Sequence, residues 1–176
     1  MSAIQSTRHA IPRLAQPTRY FSQPLSRRRF ATKMGAPIIL CGKTEQIGRG
    51  VIAGLKPEYE VIHFVMSPES GAAQIPAILR GDPSPPPPSD SALGSGDYSR
   101  APVAVVLGAA FDDAGTELMM RAAQGTRPVP WLRVDRAKPA PPPGPGYGEA
   151  VVARAKALLA RLEREGKMRE EKVHWF

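Results

Sequence analysis

The stretch "IILCGKTEQIGRG", residues 38–50, sets a cysteine and a glycine ahead of a Lys-Thr-Glu-Gln run that ends in two more glycines. Glycines spaced in this way let backbone approach a phosphate, and free N–H groups at a helix start attract anions. Gly42, Gly48, Gly50 and Gly54 therefore have two readings: a phosphate cradle, or the tight turn that any strand-to-helix connection needs. Cys41 precedes the turn, where a helix N-terminus would lower its pKa; the plainer role is a small core residue. His63 lies within "YEVIHFVM" and is either a base or a hydrogen-bonded core histidine. Asp112 and Asp113 follow "VVLGAAF" as paired carboxylates for a metal or proton transfer, or as the cap of the next helix. His9 and His174 stand at the two ends of the chain and do not join His63 in a metal set. The single cysteine excludes an internal disulfide framework and a Cys-based zinc site.

The elements around these residues follow from apolar patterning. "APIILCG" (36–42) is a short apolar run ended by glycine, as expected of a buried parallel strand. Ile47, Val51 and Leu55 then recur every four residues, predicting a helix from Gln46 to Leu55 that Pro57 stops. "YEVIHFVM" (59–66) is a second strand, and a short helical turn is expected over Pro76 to Arg80, with Pro76 at its first position. The segment 81–102 has almost no apolar content and reads as a linker or mobile surface loop, with a polyproline II run at Pro85 to Pro88. "VAVVLGAAF" (103–111) is a third strand; Leu118, Met119 and Ala122 follow at helical spacing. "VPWLRVD" (129–135) is a fourth strand, with Trp131 in the core. A Pro-rich connector (138–146) leads to a last helix over 147–165. There Val151, Ala155, Leu158, Leu159 and Leu162 form one stripe, while Arg154, Arg161 and Arg164 face away. The tail 167–176 is expected to prolong this helix or fray, with "HWF" as a candidate docking patch.

The alternation predicts an α/β fold: a small doubly wound three-layer sandwich of about four parallel strands, Rossmann-like or flavodoxin-like. The strand order is 2-1-3-4 or 3-2-1-4. In both, strand one is internal and the glycine turn lies at the switch point, where ligands of this class bind.

The formal charge of +8 is unevenly placed. Residues 1–33 hold seven basic side chains (Arg8, Arg13, Arg19, Arg27, Arg28, Arg29, Lys33) and no acid. Removing these from the 24 basic residues leaves 17 against 16 acidic ones, a net of +1. Without the leader, the rest of the chain (34–176) thus has no charge bias toward nucleic acid, and the α/β domain is placed at 36–166. The Arg- and Ser-rich, acid-free leader has the composition of a mitochondrial transit peptide, and "RYFS" and "RRFA" resemble its processing sites. A basic tail or arm is the alternative. The expected address is the mitochondrion, with the matrix as compartment. No apolar run reaches the roughly 18 residues needed to span a bilayer, so no membrane insertion is expected.

Gly42, Thr44, Ile47 and Gly48 make the turn resemble the G-x-T-G-x-I-G turn of the extended short-chain dehydrogenase/reductase superfamily and related NAD(P)-sensing proteins. The resemblance implies an NADP or NAD site at Gly42, Lys43, Thr44, Gln46, Ile47 and Gly48, with Ser67 and Gly108 from strands two and three. Lys43 would favour NADP. Glu45 stands where the family has its middle glycine, and its carboxylate beside a diphosphate would repel it. The family's Tyr-x-x-x-Lys pair is absent: Tyr20, Tyr59, Tyr98 and Tyr147 are followed four residues later by Pro24, His63, Pro102 and Val151. Strand two ends at Ser67 rather than at an acid for a ribose hydroxyl. The expectation is an accessory or degenerate NAD(P)-binding protein without reductase catalysis. The alternative is a non-catalytic interaction module or complex subunit, reached through the Pro-rich loop or the tail. An enzyme using the Asp112/Asp113 rim is a third, minor option.

Overall fold

The computed structural model describes residues 34–81, 89–139, 141–142 and 145–176. The leader and the Pro85–Pro88 run lie outside them. The elements in order are β1 (Ala36–Cys41), α1 (Glu45–Leu55), β2 (Tyr59–Val65), α2 (Pro68–Arg80), β3 (Val105–Leu107), α3 (Asp113–Ala123), β4 (Trp131–Arg133), α4 (Pro145–Arg164) and β5 (Val173–Trp175). All strand pairs are parallel. The sheet order is β2-β1-β3-β4-β5, so the 2-1-3-4 arrangement holds, with a fifth strand added at the far edge.

That fifth strand corrects the expectation of a helical or frayed tail. Val173, His174 and Trp175 pair with Trp131, Leu132 and Arg133. Phe176 is 3% exposed and joins the core. Helix α2 is also longer than expected. It starts at Pro68, which needs no N–H in the first turn, and Ser67 Oγ caps it by accepting from Ser70 N at 3.1 Å. Pro76 sits inside this helix rather than at its start.

Two apolar cores flank the sheet. On one face α1 and α4 bury Val51, Leu55, Val151, Ala155, Leu158, Leu159 and Leu162 against Ile38, Leu40, Val106 and Leu132. On the other, α2 and α3 bury Ile75, Ile78, Leu79, Met119 and Ala123 against Ile39, Val105, Leu107 and Trp131. Burial of both faces explains the continuous, non-alternating apolar runs of the central strands. Three helix positions on the expected apolar faces differ from the spacing argument: Ile47 is 42% and Leu118 44% exposed, and Ala123, not Ala122, faces the α3 core.

The segment 89–101 packs along the free edge of β2, where a linker or mobile loop was expected. Ser95 N and Gly96 N donate to Val61 O and Ile62 O at 2.9 and 3.0 Å, satisfying edge carbonyls that would otherwise be open. Gly94 has φ +106°, and a Cβ there would fall 2.8 Å from Ile62 O, so only glycine fits. The register of β1 on β2 shifts between Ile38 and Ile39, which pair with Val61 and His63. The extra residue turns His63 toward α2.

Candidate functional site: a pocket at the switch point

The carboxyl ends of β1 and β3 diverge to opposite connections, β1 into α1 and β3 toward α3. A cavity of about 280 Å³ opens there. Its floor is Leu40, Val51, Phe64, Val106 and Val151; its rim includes Lys43, Thr44, Ile47, Ala110 and Tyr147. Six of the eight expected site residues line it: Gly42, Lys43, Thr44, Ile47, Gly48 and Gly108. Gln46 and Ser67 do not; Ser67 is committed to capping α2. Phe64, Val106 and Tyr147 were not singled out from the sequence, because they come from three elements that only the sheet order brings together.

The glycines have an identifiable packing cause. A Cβ at Gly48 would sit 2.8 Å from two ring carbons of Phe64 and 3.2 Å from Leu93 Cδ1; one at Gly42 would be 3.1 Å from the same ring. Gly42 N donates to Val65 O at 2.9 Å, and Gly108 N donates to Cys41 O at 2.8 Å. The first ties the end of β1 to that of β2, the second the end of β3 to that of β1, below the pocket.

The start of α1 differs from those of α2 and α3. Ser67 caps α2, and Asp112 Oδ1 caps α3 by accepting from Gly115 N at 2.8 Å. Thr44 is the α1 N-cap residue in extended geometry, and its side chain makes no capping bond. Among the described residues, the first-turn N–H groups of α1 therefore have no N-cap acceptor. Glu45 is turned to the outside: Arg49 Nη2 and Ser91 Oγ donate to its two carboxylate oxygens at 2.9 and 2.6 Å. The Ser91 bond, then the Arg49 bond, hold its carboxyl below the usual range. The charge expected to repel a diphosphate is thus neutralised away from the pocket wall.

Of the remaining chemical candidates, Cys41 is buried and desolvation pushes its thiol up, the opposite of activation. His63 is a core histidine, 2.8 Å from Tyr98 Oη and 2.8 Å from Gln74 Oε1. A neutral ring with Nε2–H donating to Gln74 and Nδ1 accepting from Tyr98 satisfies both contacts. Burial keeps its pKa low. Asp112 is the α3 cap, and Asp113 receives Arg133, whose guanidinium also lies 4.5 Å over the Trp175 ring. Among the described residues no three His, Cys, Asp or Glu side chains gather as a metal set. No described helix is long and apolar enough to cross a membrane.

The chain is 38% identical over 161 residues to kojic acid related protein 6 of Aspergillus oryzae (strain ATCC 42149 / RIB 40). It belongs to that protein's family. The match covers 87% of this chain and 96% of the relative. No family model matches the sequence, and no solved structure matches it either.

Proposed function

We propose that this protein is an accessory nucleotide-binding member of the Rossmann-like class, without reductase catalysis, addressed to the mitochondrial matrix by residues 1–33. One ring-bearing group occupies the switch-point pocket, and a phosphate meets the open N–H groups of α1. The observation that carries this reading is the cavity itself: it is apolar-walled and ends on the one helix start, among α1, α2 and α3, whose N-cap side chain is unused. Helix N-termini at strand carboxyl ends are the anion sites of this fold class. The volume is just below the roughly 300–1,000 Å³ of drug-sized pockets. It admits one half of NADP or NAD, the ligands that the turn resemblance implies, with the other half outside. Lys43 on the rim adds a cation beside the phosphate.

The lining supports binding better than turnover. Its titratable side chains are Cys41, Lys43 and Tyr147, and the thiol is held protonated by burial. A heat-stability screen of the protein tests the proposal with NADPH, NADH, AMP and kojic acid, the last because it names the relative. A ligand at 100 times its Kd stabilises by about 2.7 kcal/mol, several degrees in Tm. Ala110→Trp, at an exposed rim position, should abolish the shift. No shift with any of the four would end the reading.

The second reading, a protein-interaction module, is favoured by Trp175, which is 48% exposed on the edge strand β5. In that case Trp175→Ala removes a partner that co-purifies with the wild-type protein, and leaves ligand binding intact.

A further inference from the structure

A second cavity, also about 280 Å³, lies between α4, the C-terminal segment and the connector after β4. Its wall carries four cationic side chains, Lys138, Arg154, Arg161 and Arg164, together with Trp175 and Phe176. It is separate from the switch-point pocket, with which it shares no lining residue.

Arg154 is the decisive group. The helical spacing suggested that it faces away with Arg161 and Arg164. Instead both of its terminal nitrogens, Nη1 and Nη2, are shielded from solvent and have no hydrogen-bond partner; only Nε donates, to Ala150 O at 3.4 Å. A guanidinium stripped of water and left unpaired is unfavourable unless an acceptor completes it. The described residues do not supply one: among them no ion pair engages Lys138, Arg154 or Arg164. The carboxylate of Glu165 is 3.9 Å from Arg161 Nε and is already held by Lys167 Nζ at 2.7 Å. Four cations face one carboxylate, Glu165, which Lys167 shares; an oxyanion relieves both the remaining repulsion and the orphaned donors. The half-exposed Trp175 ring on the same wall supplies a surface for a flat group.

We propose that this cavity is an anion-binding site for a small organic acid: a phosphate or carboxylate that draws the shielded Arg154 guanidinium round into the cavity and accepts from its Nη1 and Nη2, on a body bearing a flat ring beside Trp175. Lys138, Arg161 and Arg164 supply the surrounding positive field.

The test is calorimetric titration of the full-length protein with phenyl phosphate and with benzoate at constant ionic strength, supported by heat-stability measurements. Saturable binding of at least one is expected, and which one binds tells phosphate from carboxylate. Arg154→Met keeps the apolar stem and should weaken binding about ten- to hundredfold, as loss of hydrogen bonds from a charged group does. R161Q/R164Q, at exposed positions, should weaken it less without disturbing the fold, which covers the case of a poorly folding R154M. Ala110→Trp should leave it unchanged, so failure here and failure at the switch-point pocket are read separately. No binding of either probe overturns the proposal. So does equal affinity in R154M, or, if R154M does not fold, equal affinity in R161Q/R164Q.

Discussion

Replacing Gly48 by Ala pits two effects of known sign against each other. Position 48 lies in the first turns of α1, where Ala normally gains about 1 kcal/mol over Gly. The new Cβ, however, would arrive 2.8 Å from Cε2 and Cζ of Phe64 and 3.2 Å from Leu93 Cδ1. Phe64 is fully buried against the α1–α4 core, and the one open direction for its ring is the switch-point pocket whose floor it forms. Overpacking of this kind costs about 1–3 kcal/mol, and the net change should run from neutral to about 2 kcal/mol destabilising. Phe64→Leu opens the space, so in that background Gly48→Ala should recover its helical gain. The double-mutant cycle, read from urea midpoints, should give a coupling of about 1–3 kcal/mol. If Gly48→Ala stabilises equally in both backgrounds, the Phe64 ring does not impose the glycine. The packing account of the turn then fails.

Two further outcomes follow from the described contacts, and a third from the composition of the leader. His63 is held neutral by burial, with its pKa lowered in the fold, so the unfolded chain takes up more protons as pH drops through about 6.5. Stability should therefore fall below that pH, by at most about 1.4 kcal/mol per unit for this group. His174 is shifted the same way by burial and adds to the slope. His63→Gln should flatten the urea-midpoint dependence between pH 7 and 5, and an unchanged slope contradicts the assignment. Phe176→Ala should cost about 3–5 kcal/mol, as for a buried phenylalanine; a loss under about 0.5 kcal/mol would mean that the tail frays. Deleting residues 1–33 from a fluorescent fusion should abolish mitochondrial signal, and unchanged localisation would remove the matrix address.

The elements with dense apolar patterning, β1, α1, β2, β3, β4 and α4, were legible because burial on one helical face or both sheet faces leaves an apolar trace. So was the switch-point position of the glycine turn. What escaped is short or held by polar groups. Strand β5 has three residues in a charged tail, and it is defined by its pairing to β4 rather than by local propensity. Most of α2 was hidden by Pro76, which local rules place at a helix start, whereas Ser67 and Pro68 provide the real one. The segment 89–101 looked structureless because serine hydroxyls and backbone hold it: Ser89 Oγ donates to Phe64 O, and Ser91 Oγ to Glu45. Leu93, the lone apolar residue packed against α1, was its only signal. The reason for Gly48 could not be read at all, since the ring that demands it is sixteen residues away in sequence.

The most direct measurement of the central claim is a calorimetric titration of NADPH, NADH and AMP into the wild-type protein and into Ile47→Glu. Ile47 is exposed on the pocket rim and stands three residues after the Thr44 N-cap. A glutamate there completes a Thr-x-x-Glu capping box, which favours the helix while placing a carboxylate at the proposed phosphate position. The account predicts saturable binding of at least one nucleotide by the wild type, and its loss in Ile47→Glu with an unfolding midpoint equal or higher. Binding that survives unchanged in Ile47→Glu, or no binding by the wild type, would contradict a nucleotide site at the head of α1.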